Sequence, residues 1–372
     1  MAQLPQEFLT RMQDMLGDEF DAFLTSYDAP RTAGLRVNTK KCRTEDFPPL
    51  VPGTWKKIPW IPNGYFVPDG MRMGQSPLYA AGVFYLQEPS AMTPASRLPI
   101  EPGERVLDLC AAPGGKSTQL AAKLAGCGLL VCNEIHPKRA QILAQNIERM
   151  GIANALVLNE HPKNLSPRFD GYFDRVLVDA PCSGEGMFRK DPASRAEWSE
   201  GGVRVCAARQ EEILREAWRA LKPGGTLLYS TCTFNRDEDE GVLERLLAAV
   251  GSEAAETEER PVDGAWGVVC GRVGAFRTYR FYPHRAVGEG FFAAVVRKAP
   301  DAEGRMRTPR ARRAVFAPAD RATAAELARW TLDPGAMRFG TVAGTCYGWF
   351  AAQADAVRAL SEALPAIYSG VA

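Results

Sequence analysis

From about residue 82 to residue 250, short apolar runs alternate with segments of helical periodicity, and that alternation leaves few folds open. The runs Arg105 to Leu109, Leu129 to Cys132, Ala155 to Leu158, Arg175 to Val178 and Thr226 to Ser230 are short and apolar, the pattern of strands buried on both faces. Between them, the segments near 115–125, 137–150, 204–221 and 236–249 repeat apolar positions at helical spacing. The fold class is α/β, with a parallel, doubly wound sheet whose ligands sit at the carboxyl ends of the strands.

The flanks read differently. Residues 4–27 hold two short amphipathic helices, broken where Gly17 meets Asp18. Residues 31–43 concentrate Arg31, Arg36, Lys40, Lys41 and Arg43, which suits either phosphate binding or a solvated strand edge. Residues 47–80 mix Pro, Gly and aromatics into an irregular covering segment, and core packing is a better use of those rings than base stacking. The stretch Phe276 to Tyr282 with Phe291 to Arg297 reads as a hairpin closing the sheet, and residues 299–313 are a basic linker. The organisation expected is therefore a small α+β amino-terminal domain (1–80), the main sheet domain (81–298), the linker, and a small carboxyl-terminal domain (314–372). Helices near Thr323 to Trp330 and Asp355 to Ala363 and a strand near Tyr347 to Phe350 belong to the last of these.

Composition excludes several classes. No apolar run approaches the ~18 residues of a membrane span, and no signal-peptide pattern opens the chain, so a cytoplasmic protein without membrane contact is expected. The nine cysteines show no CxxC pair and there are only three histidines, which argues for reduced thiols and no structural metal. A net charge of +1 means that any nucleic-acid binding needs locally grouped basic residues.

Three motifs carry chemistry. In VLVDAPCSG, Asp179 ends a strand and Pro181 stiffens the exit so that Cys182 is held in a loop. In KPGGTLLYSTC, Cys232 ends another strand on the same rim, so two thiols distant in sequence become neighbours; a lone buried Cys is an inert hydrophobe, but a pair beside an acid is a weaker case for inertness. In VLDLCAAPGGKST, a strand runs through small residues into a helix. The P-loop pattern fails there because Cys110 stands where its first glycine belongs, and the dinucleotide fingerprint fails for want of a third glycine. The amino-acid end of S-adenosylmethionine fits better. An acid for its ribose stands at Glu134, which can equally cap the helix starting at Pro137, and Asn159 or Glu160 is placed to face its adenine. Asn235 with Glu238 reads as a capping box, with Asp237, Asp239 and Glu240 complementing the dipole of the helix that follows.

The segments LRVNT, CAAPGGKS, FDRVLVDAPCSGEGMFRKDP, LKPGGTLLYSTCTF and GEGFFAAVVRK together resemble the Sun/NSUN-type RNA cytosine-5 methyltransferases, and within them the bacterial RsmF type that acts on small-subunit ribosomal RNA. The resemblance covers about residues 5–298 and implies a Rossmann-like class I methyltransferase sheet, an RNA-binding amino-terminal region and S-adenosylmethionine as cofactor. It implies Cys232 as nucleophile and Cys182 as the group that assists product release; the chemistry of the base adds Asp179 as a third catalytic residue, placed to hold the ring nitrogen and exocyclic amine. The implied cofactor set is Cys110, Ala111, Ala112, Pro113, Gly114, Gly115, Lys116, Glu134, Arg139, Glu160 and Asp179. The family often has an aspartate where LNEHPKNL places Glu160. RsmF-type proteins also continue into a PUA-like RNA-binding domain, whereas this sequence ends at Ala372, so affinity from such a domain is not expected within it. The partner expected is ribosomal RNA or the small subunit, bound by a monomer, with tRNA methylation or a non-catalytic role in ribosome assembly as the competing readings. Lys116 or Lys190 is expected to favour the Cys232 thiolate. The linker arginines Arg305, Arg307, Arg310, Arg312 and Arg313 join the amino-terminal basic segment as candidate contacts to the RNA backbone.

Overall fold

The computed structural model describes residues 4–302, 317–342 and 344–370. Its centre is a ten-stranded sheet. Five parallel strands form the middle, in the spatial order Ala155–Leu158, Leu129–Asn133, Arg105–Asp108, Phe173–Asp179, Leu221–Thr231. Successive residues of each strand face opposite sides, so Leu107 and Val176 enter one buried apolar cluster while Val106 and Leu177 enter another. The chain winds outward from Arg105–Asp108 in one direction and then, from Phe173–Asp179, in the other. The crevice at this reversal is where an open α/β sheet binds its ligand.

Antiparallel strands complete the sheet. Phe291–Lys298 pairs with Leu221–Thr231, and Phe276–Phe281 and Val269–Val273 follow it outward. On the far edge, Ala366–Ser369 pairs antiparallel with Ala155–Leu158, so the last described strand adds to the central sheet. Before it come a three-stranded sheet in the order Ala317–Pro318, Met337–Val342, Thr345–Phe350, and the helix Ala351–Ala363, which buries Val357 and Leu360. The linker arginines Arg305 to Arg313 lie outside the described residues.

The amino-terminal residues build two units over the carboxyl rim. Helices Gln6–Leu16 and Phe20–Thr25 bury Phe8, Met12 and Phe23 against Phe188, Phe234 and Tyr282, ring against ring. A four-stranded antiparallel sheet runs in the order Lys56–Lys57, Gly64–Phe66, Gly34–Val37, Phe84–Gln87. The aromatic stretch 47–80 serves packing, since Phe47 and Tyr79 pack on Phe84, Trp55 and Tyr65 pack on Phe47, and Trp60 packs on Phe281. From the same sheet Arg36, only 1% exposed, donates to Gly115 O at 2.8 Å and Thr118 Oγ1 at 2.7 Å, tying the sheet to helix Gly115–Leu124. Burial away from any carboxylate lowers its guanidinium to about 10.

One local expectation changes. The helix after Cys232 starts at Glu240, and no capping box forms at Asn235 and Glu238. Asp239 is fully buried instead, accepting from Thr231 Oγ1 at 2.6 Å and from Arg280 at 2.9 Å, while Glu240 takes the other arm of Arg280 at 2.7 and 2.8 Å. A basic residue on the antiparallel strand Phe276–Phe281 therefore holds these acids, a long-range partner that local spacing does not reveal. Removing one member of a buried pair strands the other. Arg280→Met is expected to destabilise the protein by about 3–5 kcal/mol, read as a lowered urea midpoint, and adding Asp239→Leu to recover part of the loss.

Candidate active site

The parallel ladder sets the rim. Asp179 is paired with Ser230, and Ala180 N continues the pattern by donating to Ser230 O at 2.9 Å, so the residues after each strand, Cys182 and Cys232, emerge side by side. Their sulfurs stand 3.4 Å apart without a disulfide; among the described residues all nine cysteines are free. The hydrogen bond with Cys232, together with burial, pushes the Cys182 thiol well above its ordinary value.

The two loops are stitched together by buried groups. Glu238 Oε2 accepts from Ser183 N at 2.9 Å and from Gln210 Nε2 at 2.8 Å, and Gln210 also donates to Pro181 O at 2.9 Å. Ser183 and Thr233 share a hydroxyl bond at 2.9 Å, and Gly186 N donates to Cys232 O at 2.8 Å. A Cβ on Gly186 would stand 2.9 Å from that same Cys232 oxygen, so only glycine lets the loops come this close. Glu185, fully buried, accepts from Phe234 N at 3.1 Å, Trp198 Nε1 at 3.1 Å and Arg11 at 3.4 Å. These carboxylates fix the position of the sulfurs without touching them. Sequence reading missed Glu185, Gln210 and the role of Glu238, because their partners lie up to 174 positions away.

Asp179 is held on both oxygens, by Ser230 Oγ at 2.9 Å and Lys116 Nζ at 2.6 Å. Lys116 is thus committed to Asp179, its ammonium also lying 4.9 Å over the Phe291 ring. Lys190 and Lys116 both line a cleft of about 260 Å³ with Asp179 and Cys232. That cleft adjoins a larger one of about 640 Å³, the two sharing Cys110, Ala112, Asp179, Met187 and Cys232 on their walls.

The larger cleft is lined by Glu134, Ile135, Arg139, His161 and Pro162 as well as both thiols. Glu134, 4% exposed, accepts from His136 N at 2.9 Å and pairs with Arg139 at 3.3 Å while facing the cleft; it holds the turn before helix Pro137–Arg149 without capping the helix itself. Arg139 also donates to Ala112 O at 2.9 Å, bracing the loop Cys110 to Lys116. That loop turns at Gly114, whose φ of +111° favours glycine, directly before helix Gly115–Leu124. Asn133 clasps the strand ends, donating to Leu109 O at 3.3 Å and Glu160 O at 2.9 Å. Glu160 itself turns its carboxylate to Asn164 at 3.3 Å, while its neighbours His161 and Pro162 line the cleft. Asp108 ends its strand fully buried, accepting from Ser117 Oγ at 2.6 Å on one oxygen, the other having no partner among the described residues. A buried acid at one strand end, an acid facing the cleft at the next and a tight loop at a helix amino terminus suit a ligand with an ammonium, a ribose and an adenine, so the residues fit S-adenosylmethionine.

Fold and site together define a class I methyltransferase fold carrying a cysteine pair on its carboxyl rim. Residues 95–297 match the family described as 16S rRNA methyltransferase RsmB/F, residues 4–89 match the N-terminal domain of 16S rRNA methyltransferase RsmF, and the chain belongs to this family. Relatives named Ribosomal RNA small subunit methyltransferase F, from Erwinia tasmaniensis and an Enterobacter species, are 38% and 37% identical over 79% of this chain. The chain spans 63% of the length of these relatives. Among solved structures, a methyltransferase homolog protein from Pyrococcus horikoshii aligns with TM-score 0.68 and 26% identity over 80% of this chain and 96% of its own. NSun6 from the same organism, solved with SFG, aligns with TM-score 0.70 and 20% identity over 81% of this chain and 100% of its own, a likeness of fold.

Burial pushes Asp108 up to about 7, against 3.8 for a free side chain. Between those values the folded state holds a proton that the unfolded chain has released, so stability from this group falls as pH rises from about 4 to about 7 and is level above. Urea midpoints measured across that range are expected to fall less steeply in Asp108→Asn than in the parent protein.

Proposed function

We propose that the protein methylates carbon 5 of a cytosine in RNA, with small-subunit ribosomal RNA as substrate, through a covalent adduct to Cys232. The observation that carries this reading is the Cys182–Cys232 pair, 3.4 Å apart beside Asp179 at the junction of two clefts. Methylation of a protein or small molecule has no need of two thiols there. The relatives' name, Ribosomal RNA small subunit methyltransferase F, supports the substrate class. Among the described residues no helix is long and apolar enough to cross a membrane, which is compatible with a cytoplasmic site of action.

Carbon 5 of cytosine is a poor nucleophile, and the chain's groups answer that problem in order. The target base must first stand out of its helix or lie in a loop. The Cys232 thiolate adds to carbon 6, forming a carbon–sulfur bond and moving electron density to carbon 5. S-adenosylmethionine supplies the electrophilic methyl group. Asp179, anchored by Lys116 and Ser230, accepts from the exocyclic amine and shares a proton with the ring nitrogen as negative charge develops there. After methylation, solvent in the cleft takes the carbon 5 proton, the electrons of that bond restore the carbon 5–carbon 6 double bond, the carbon–sulfur bond breaks, and Cys232 leaves as thiolate. Cys182, which keeps its proton and lies against the sulfur, assists that release. Glu134 orients the ribose, and the loop Cys110 to Lys116 takes the amino-acid end of the cofactor.

The two thiols are expected to give opposite phenotypes. Cys232→Ala abolishes both 5-methylcytosine and the RNA adduct, whereas Cys182→Ala accumulates an adduct that survives a denaturing gel. The reverse pattern would exchange their roles. Nucleotide-resolution mapping of 5-methylcytosine after incubation with deproteinised RNA or subunits tests the substrate; methylation confined to tRNA would remove the ribosomal assignment, and bound cofactor without any adduct would favour a non-catalytic protein.

A further inference from the structure

The amino-terminal sheet touches the loop Cys110 to Lys116 through Gln87, the last residue of strand Phe84–Gln87. Gln87 Nε2 donates to Ala91 O at 3.0 Å. A carbonyl only accepts, so that bond decides which way the amide is turned and leaves Oε1 as the other end. Oε1 is buried and without a hydrogen-bond partner among the described residues. The amide lies directly on Gly115, where a Cβ would come within 3.0–3.1 Å of its atoms.

Gln87 lines the smaller cleft with Asp108, Gly115 and Lys116. The other acids of that wall have their donors. Glu88 accepts from Ser90 N, Ala91 N and Glu289 N at 2.8–3.0 Å, Asp179 from Lys116 and Ser230, and Glu289 from Thr32 N and Arg189 at 2.7 Å each. Two buried acceptors, Gln87 Oε1 and one oxygen of Asp108, are left over at the head of helix Gly115–Leu124. A buried acceptor without a donor is costly, so this corner suits a ligand group rich in N–H, and a primary ammonium is the compact form of one.

We infer that Gln87 Oε1 accepts a hydrogen bond from the α-ammonium at the amino-acid end of the cofactor, which makes the amino-terminal sheet a wall of the cofactor site. The inference rests on the S-adenosylmethionine reading given above. Gly115, under the amide, belongs to the loop that takes the amino-acid end, which favours the ammonium over the exocyclic amine of the target cytosine.

Calorimetric titration of the full chain with two ligands tests it: S-adenosylhomocysteine, and 5′-methylthioadenosine, which has the same adenosine but no amino-acid end. Gln87→Met is expected to weaken S-adenosylhomocysteine about tenfold or more, as befits a lost hydrogen bond to a charged group, while 5′-methylthioadenosine changes by less than about twofold. Retained binding of the second ligand also shows that the variant is folded. Equal weakening of both ligands would overturn the inference in favour of a loop-shaping role, and unchanged affinity for both would overturn it outright. If the parent protein bound neither ligand, the cofactor reading itself would fall, an outcome visible before any variant is compared.

Discussion

The backbone ladder between Phe173–Asp179 and Leu221–Thr231 is the constraint on which the rest depends. Its register sets Asp179 opposite Ser230, and everything at the rim follows from that pairing. One chain leaves through Ala180 and Pro181, the other through Thr231, and neither has room to diverge before its cysteine. A slip of one residue would turn the cysteine-bearing segment to the other face of the sheet. Register alone still leaves two flexible loops, and the carboxylates of Glu185 and Glu238 supply the remaining restraint. Each is buried, and each accepts bonds from more than one segment, so that removing either leaves several donors without a partner at once.

Much of this was legible in the sequence, for reasons that can be traced to particular residues. The parallel strands are buried on both faces, so their apolar runs stand out, and the acid or thiol that ends each run is placed by the α/β rule alone. Asp179, Cys182, Cys232 and Glu134 all stand on the wall of one cleft at that rim. The limits have the same origin. Arg280 looks like an ordinary strand residue until its strand lies beside Asp239 and Glu240, and those two acids look like helix-start charges until a cation from another element meets them. Glu160 was chosen by position after a strand, but position does not say which way a side chain turns, and Asn164 takes it. Arg36 was read as one charge in a basic stretch, whereas it is buried against Gly115 and Thr118. Long-range pairing carries no local signature, and these residues are defined by it.

The amino-terminal units are therefore more than a cover. Arg11 reaches Glu185 in the cysteine loop, Phe23 packs against Phe234 two residues beyond Cys232, and Arg36 and Gln87 converge on Gly115. The helices brace the rim where the thiols stand, and the antiparallel sheet braces the loop Cys110 to Lys116. Both halves of the site are finished by residues that precede the central sheet in the chain.

That arrangement has a consequence for how the molecule is made. On the ribosome, Phe8, Met12 and Phe23 emerge long before Phe188 and Phe234, so the first helices spend most of synthesis with an apolar face and no core to join. Chains dominated by such distant contacts fold late and expose sticky surface meanwhile. The Arg11–Glu185 bond, closing a separation of 174 residues, ties an early helix to the middle of the chain, and the loop after Cys182 takes its final shape only when that earlier segment meets it.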